Sequence, residues 1–119
     1  MAGIGLNHKV SVAKGLRSET RAFYEGALGT GLKSPTPLLD VFTFDDGANI
    51  GVFYVEAEEA LSPAEAKRAL WLEIEVEDPA ATSKAFAKLG IRPFDYVDKE
   101  HEYFQAPGGQ ALRLAPKRA

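Results

Sequence analysis

The chain has no cysteine, which excludes a disulfide framework and thiolate metal ligation. It has only two histidines in 119 residues, so no Ser-His-Asp order can be argued. It has no excess of positive charge: 14 Lys and Arg stand against 17 Asp and Glu, for a net charge of −3. Apart from the short tail Lys117-Arg118 the basic residues are scattered. A phosphate backbone wants a basic surface, so no nucleic-acid partner is expected. No apolar run approaches the ~20 residues of a membrane span, so no membrane partner is expected either. The start, "MAGIGLNHKV", lacks the charged-then-apolar plan of a secretory signal. The protein therefore reads as soluble and cytoplasmic. What is present is ordinary for a globular chain, 45% hydrophobic and 26% charged residues. The length suits one domain, or two small halves sharing a core.

The halves follow one plan. In the first, "NHKVSVA" reads as a strand and "RSETRAFYEGALG" as a helix, with Thr20, Phe23, Tyr24, Ala27 and Leu28 at helical spacing and Gly29 to end it. "LLDVFTF", the turn Asp45-Asp46-Gly47 and "ANIGVFYVE" follow as a hairpin. In the second half "LWLEIEV" is a strand, and Asp78-Pro79 supplies an N-cap and a first-turn proline. Ala81, Ala85, Phe86 and Leu89 form the buried stripe of the helix that follows, and Gly90 closes it. "IRPFDYVD", "HEYFQA", the turn Pro107-Gly108-Gly109 and "QALRLA" complete the plan as three strands. Each half is thus βαβββ, and the fold class is α+β. The boundaries are module one 4–56, a linker 57–68 and module two 69–115. The linker reads as a solvated connector, with a capping box at Ser62-Pro63-Ala64-Glu65 that starts a short helix.

The strand that opens module two alternates strictly. Leu70, Leu72, Ile74 and Val76 share one parity, and Trp71, Glu73 and Glu75 the other. Successive strand side chains point to opposite faces. The aliphatic set is expected under the helix, and the tryptophan and carboxylates on the opposite face. A one-residue slip would expose the aliphatics, each worth about 1.5–3 kcal/mol when buried, so the register is well determined.

Paired βαβββ modules resemble the vicinal oxygen chelate superfamily, which includes glyoxalase I, extradiol dioxygenases and bleomycin-resistance proteins. The resemblance rests on "RAFYEGALG", "EVEDPAATSKAFAKLG" and "YFQAPGGQALRL", in that order and spacing, and it covers about residues 4–115. It implies curled sheets enclosing a cleft, with helices outside. Metal-using members place four ligands, mostly His and Glu, on the first and last strands of each module. Carried over singly, those positions are Trp71, Arg113, Gly51 and either Lys9 or, with a one-residue shift, His8. Parity favours Lys9, because His8 shares the parity of the helix-packing pair Val10 and Val12. An indole cannot ligate, glycine has no donor, and a guanidinium is a permanent cation. No metal and no cofactor is therefore expected. Glu73, Glu75 and His8 remain open as a different site, beside the reading of the two Glu as a solvated or salt-bridged face.

The expected ligand-facing set is Lys9, Asn49, Phe53, Trp71, Glu73, Glu75 and Arg113. Aromatic walls with a few polar groups describe a small-molecule site, for an aromatic or acidic ligand. Lys9 and Arg113 suit an acidic group, or they neutralise Glu73 and Glu75 instead. His101 reads as a surface histidine beside a general-base alternative, and Tyr96 and Tyr103 as rim or padding. Two classes of function follow: a metal-free binding protein similar to bleomycin-resistance proteins, or a glyoxalase- or dioxygenase-like enzyme (lyase, isomerase or oxidoreductase) with a remodelled site. The resemblance and the open sheet edges both point to a homodimer.

Overall fold

The computed structural model describes residues 1–118. They form two compact units, Met1–Ala60 and the chain from Leu61 onward. Each holds one sheet with its helix, the α+β architecture of two small mixed sheets.

In the first unit the elements are β1 (Asn7–Ala13), α1 (Arg17–Arg21), β2 (Gly31–Thr36), β3 (Leu39–Thr43) and β4 (Asn49–Val55). The strand order is β1-β4-β3-β2, with β1 parallel to β4 and the other pairs antiparallel. The helix expected over 17–29 forms, but not uniformly. A 3-10 turn (Lys14–Leu16) leads in, and from Ala22 to Ala27 the winding widens to a π-helix. The Leu28 N–H donates to the Phe23 carbonyl at 3.0 Å. Gly29, at φ 72°, then turns the chain, and the Thr30 N–H and hydroxyl both donate to the Tyr24 carbonyl. These bonds satisfy carbonyls that a helix end leaves open. Thr20, Phe23 and Tyr24 are buried, and Tyr24 stacks on Phe42 with ring centres 4.9 Å apart. Val12, Phe42, Ile50, Val52 and Tyr54 complete this core.

Asp40, on β3, is also fully buried. Its carboxylate accepts from Arg21 Nε (2.8 Å) and Nη2 (2.9 Å), from the Ser34 hydroxyl (2.7 Å) and from the Tyr54 hydroxyl (2.8 Å). Arg17 lies 3.5 Å from the same carboxylate and stacks on the Tyr54 ring. The Arg21 hydrogen bonds hold the Asp40 carboxyl well below the ordinary range, against the opposing effect of burial. Burial, and then the bond to Asp40, push the Tyr54 phenol up.

The second unit contains α2 (Pro63–Lys67), β5 (Leu72–Val76), α3 (Pro79–Lys88), β6 (Tyr103–Gln105) and β7 (Ala111–Pro116). The order is β5-β7-β6, with β5 parallel to β7. The Ser62–Glu65 capping box is present in both directions, and Asp78 caps α3 through the Ala80 and Ala81 N–H groups. α2 is not a free connector. Gln105 Nε2 donates to the Pro63 carbonyl at 2.7 Å, and a Cβ on Gly109 would lie 2.8 Å from Pro63 Cα.

Three local expectations fail here. Leu70 does not join the aliphatic face: it is 73% exposed, because pairing begins only at Leu72 opposite Leu112. The stripe of α3 narrows to Phe86, packed edge-on against Phe104, while Ala81 and Leu89 are exposed. The strand expected over 91–98 reduces to one bridge, Phe94 to Tyr103. Pro93 has no N–H to give a ladder. Asp98 draws the chain into a turn instead, accepting from the Glu100 N–H at 2.9 Å.

Candidate functional site

Pleating sorts the first sheet into two faces. His8 pairs with Ile50 and Val10 with Val52, so His8 shares the face of the core residues. Lys9 pairs with Gly51 and Ser11 with Phe53, and these lie on the face turned away from that core. Asn49, beside Thr43 on β3, is on this second face too. Asn49 Nδ2 donates to Asn7 Oδ1 at 2.9 Å, and the Thr43 hydroxyl donates to Asn49 Oδ1 at 2.7 Å. Asn49 is thus fixed by both flanking strands. Phe53 is 40% exposed, and Lys9 Nζ lies 5.9 Å from its ring centre. Lys9 donates to the Ser11 hydroxyl at 2.9 Å. No carboxylate among the described residues pairs with it. An exposed aromatic beside an uncompensated ammonium is chemically able to take a planar ligand with an acidic group.

In the second unit Trp71 leads directly into β5, where Glu73 pairs with Arg113 and Arg113 in turn with Tyr103. The Arg113 guanidinium sits 4.5 Å from the Trp71 ring centre. Its Nε donates to Glu73 Oε2 at 2.8 Å, and Nη2 forms an ion pair with the same oxygen at 2.7 Å. Its Nη1 reaches Asp98 Oδ2 and the Tyr103 hydroxyl, both at 3.3 Å. The Tyr103 and Glu73 hydrogen bonds raise the Arg113 pKa further. Asp98 Oδ2 also accepts from the Tyr103 hydroxyl at 2.8 Å and meets His101 Nδ1 at 2.7 Å. The Glu100 N–H, then the Tyr103 hydroxyl, hold Asp98 down at about 2. Burial raises the Tyr103 phenol. Trp71 meets Tyr103 edge-on at 5.6 Å, and Tyr103 continues to Tyr96 at 4.5 Å. Glu75 stands apart, paired with Arg118 at 2.8 Å.

The two cations differ in their compensation among the described residues. Arg113 is bound between two carboxylates, and Lys9 is bound by none. Asp98, Tyr103 and His101 are additions to the expected set. His101 is partly buried against Asp98 instead of lying free at the surface. The i, i+3 spacing of Asp98 and His101 was a signal for that pair, but the strand expected across Asp98 hid it.

The positions where the resemblance implies metal ligands carry an ammonium, a glycine, an indole and a paired guanidinium. That donor set does not fit a divalent cation, and no chemistry is assigned to one. Among the described residues no three His, Asp or Glu side chains gather as a metal site elsewhere.

No protein-family profile matches the chain, and no curated protein matches it by sequence. Solved structures do. A glyoxalase-family protein of Bacillus anthracis is 20% identical, with a TM-score of 0.70, covering 99% of this chain and 97% of that one. A glyoxalase/bleomycin resistance protein of Catenulispora acidiphila is 16% identical, with a TM-score of 0.64, over 98% and 100% of the two chains. A fosfomycin resistance protein of Mesorhizobium loti is 15% identical, with a TM-score of 0.66, over 99% and 94%. The chain therefore has the fold of the vicinal oxygen chelate superfamily, shared with glyoxalase-family, bleomycin-resistance and fosfomycin-resistance proteins. Among the described residues no helix is long and apolar enough to cross a membrane.

Proposed function

We propose that this protein binds a small organic ligand that is planar and acidic, without a metal ion. Two candidate ligand-facing sets carry the reading, each within its own unit: Lys9, Asn49 and Phe53 on the first sheet, and Trp71, Glu73 and Arg113 on the second, with Glu75 at the end of that strand against Arg118. The observation that carries the reading is Lys9, an ammonium with no carboxylate partner among the described residues, set beside a 40% exposed phenylalanine. Arg113 has a different role in this reading. Already held by Glu73 and Asp98, its guanidinium lies over the Trp71 ring, and a planar ligand stacks on this layered pair. The names of the structural relatives support small-molecule chemistry in general. In the same reading the protein is a cytoplasmic homodimer.

The test is a thermal-shift screen of aromatic carboxylates and phosphates, followed by calorimetry on the best hit. Elemental analysis of the purified protein runs alongside. A stacked aromatic contact is worth about 0.5–1.5 kcal/mol beyond buried area, so Trp71→Ala weakens a hit on the second set by about two- to tenfold. A hit whose affinity survives Lys9→Ala and Trp71→Ala uses neither set and defeats the reading. One equivalent of divalent metal, with stability lost on chelation, defeats the metal-free reading.

A further inference from the structure

Three donors converge on one oxygen of Asp98, and they are not equal. His101 Nδ1 and the Tyr103 hydroxyl are close, at 2.7 and 2.8 Å, while Arg113 Nη1 is at 3.3 Å. The other side of the guanidinium is bound tightly by Glu73. With a neutral imidazole, Glu73 and Asp98 carry two negative charges against one positive charge on Arg113. A protonated imidazole brings the cluster to neutrality. The Glu100 N–H and the Tyr103 hydroxyl keep Asp98 ionised throughout the range in which histidines titrate, pH 5 to 8. Other charged groups stand near in the chain: Asp95 with its partner Lys99, and Glu100 and Glu102 flanking His101. None of these has a hydrogen bond or ion pair to the imidazole. Tyr103 from β6, Arg113 from β7 and Glu73 from β5 complete the ionisable groups around Asp98.

We propose that His101 is a proton-operated latch on Arg113: protonation of the imidazole draws Asp98 to it and releases Nη1 of the guanidinium for an acidic ligand. Whether a ligand then uses Nη1 rests on the proposed function; the latch itself does not. A charged donor at 2.7 Å prevails over a charged donor at 3.3 Å for the same oxygen, because charge-assisted hydrogen bonds are strongest when short. Glu73 keeps Arg113 anchored, so release means a rotation of one end of the group over the Trp71 ring.

Trp71 is the sole tryptophan and lies under this guanidinium, so its emission reads the latch without any ligand. The expected result is a single transition in emission between pH 5 and 8, abolished in His101→Gln and in Arg113→Gln. Asp98→Asn, which leaves both cations but removes the charge they compete for, reduces the amplitude several-fold. A flat profile overturns the latch. A transition that survives His101→Gln belongs to another group and also overturns it. One that survives Arg113→Gln is the imidazolium acting on the indole directly, and it overturns the latch as well. Benzoate, titrated by calorimetry, separates the two ideas: tenfold tighter binding at pH 5.5 than at 7.5, lost in His101→Gln, supports both. A His101-dependent emission change with no benzoate binding at either pH keeps the latch and counts against the acidic-ligand reading.

Discussion

Charge compensation at single residues separates the two cations that the sequence offers. Lys9 can accept an anion without breaking an ion pair; Arg113 cannot. Lys9→Ala should therefore weaken an acidic ligand about tenfold while leaving stability within about 0.5 kcal/mol, as for an exposed side chain. Loss of more than that in urea denaturation would mean that Lys9 holds the fold rather than a ligand. Glu73→Gln acts in the opposite sense. It removes the tightest partner of Arg113 and should strengthen an acidic ligand that competes for the guanidinium, which calorimetry on the wild type and variant measures. Parity favoured Lys9 over His8 and set Glu73 opposite the aliphatics, because a strand leaves two choices per residue. The compensation was not legible. Asp98 reaches Arg113 from an irregular loop, and no periodicity governs a loop.

Elements here are joined by a few specific contacts. Asp40 ties α1 to β3, β4 and the start of the β2–β3 hairpin through Arg21, Tyr54 and Ser34. Breaking a buried ion pair costs about 3–5 kcal/mol, and Arg21 is 39% exposed, so Arg21→Ala should cost about 2–4 kcal/mol in urea denaturation. The pH dependence has a definite sign. Because the folded carboxyl of Asp40 is depressed, its contribution is present above the unfolded value near 4 and is lost as pH falls below it. Asp40→Asn should lower stability at pH 7 and flatten the acid limb of the stability curve. An equally steep acid limb in the variant would assign that slope to other carboxylates. In the second unit Gly109, at φ 108°, lets α2 lie against the β6–β7 turn. Gly109→Ala combines backbone strain with a clash against Pro63 and should cost about 2–4 kcal/mol by the same measurement. A smaller loss, below about 1 kcal/mol, would show that α2 moves aside freely. Helix starts, caps and closing glycines were legible because they depend on adjacent residues. The Asp40 clamp was not, since an aspartate inside "LLDVFTF" has no local mark of its partner 19 residues away.

At the scale of the molecule, each sheet ends in a strand paired on one side within that sheet, β1 in the first and β5 in the second. Exposed edges are templates for association, which supports the proposed homodimer. Light scattering at micromolar concentration should give twice the 12.9 kDa chain mass, and a monomer mass would refute it. The same topology has a consequence during synthesis. β1 finds its partner across 42 residues, as in the Asn7–Asn49 contact, and β5 finds its partner across 40, as in Glu73–Arg113. At about 5–20 residues per second, the ribosome releases β1 roughly 2–8 s before β4 exists to receive it. The β3–β4 hairpin closes over a few residues and can form at once. Each unit is then completed by its oldest strand returning to its youngest. A nascent chain stalled before residue 49 has no native place for its first strand, and pausing there should leave that segment open to protease until translation resumes.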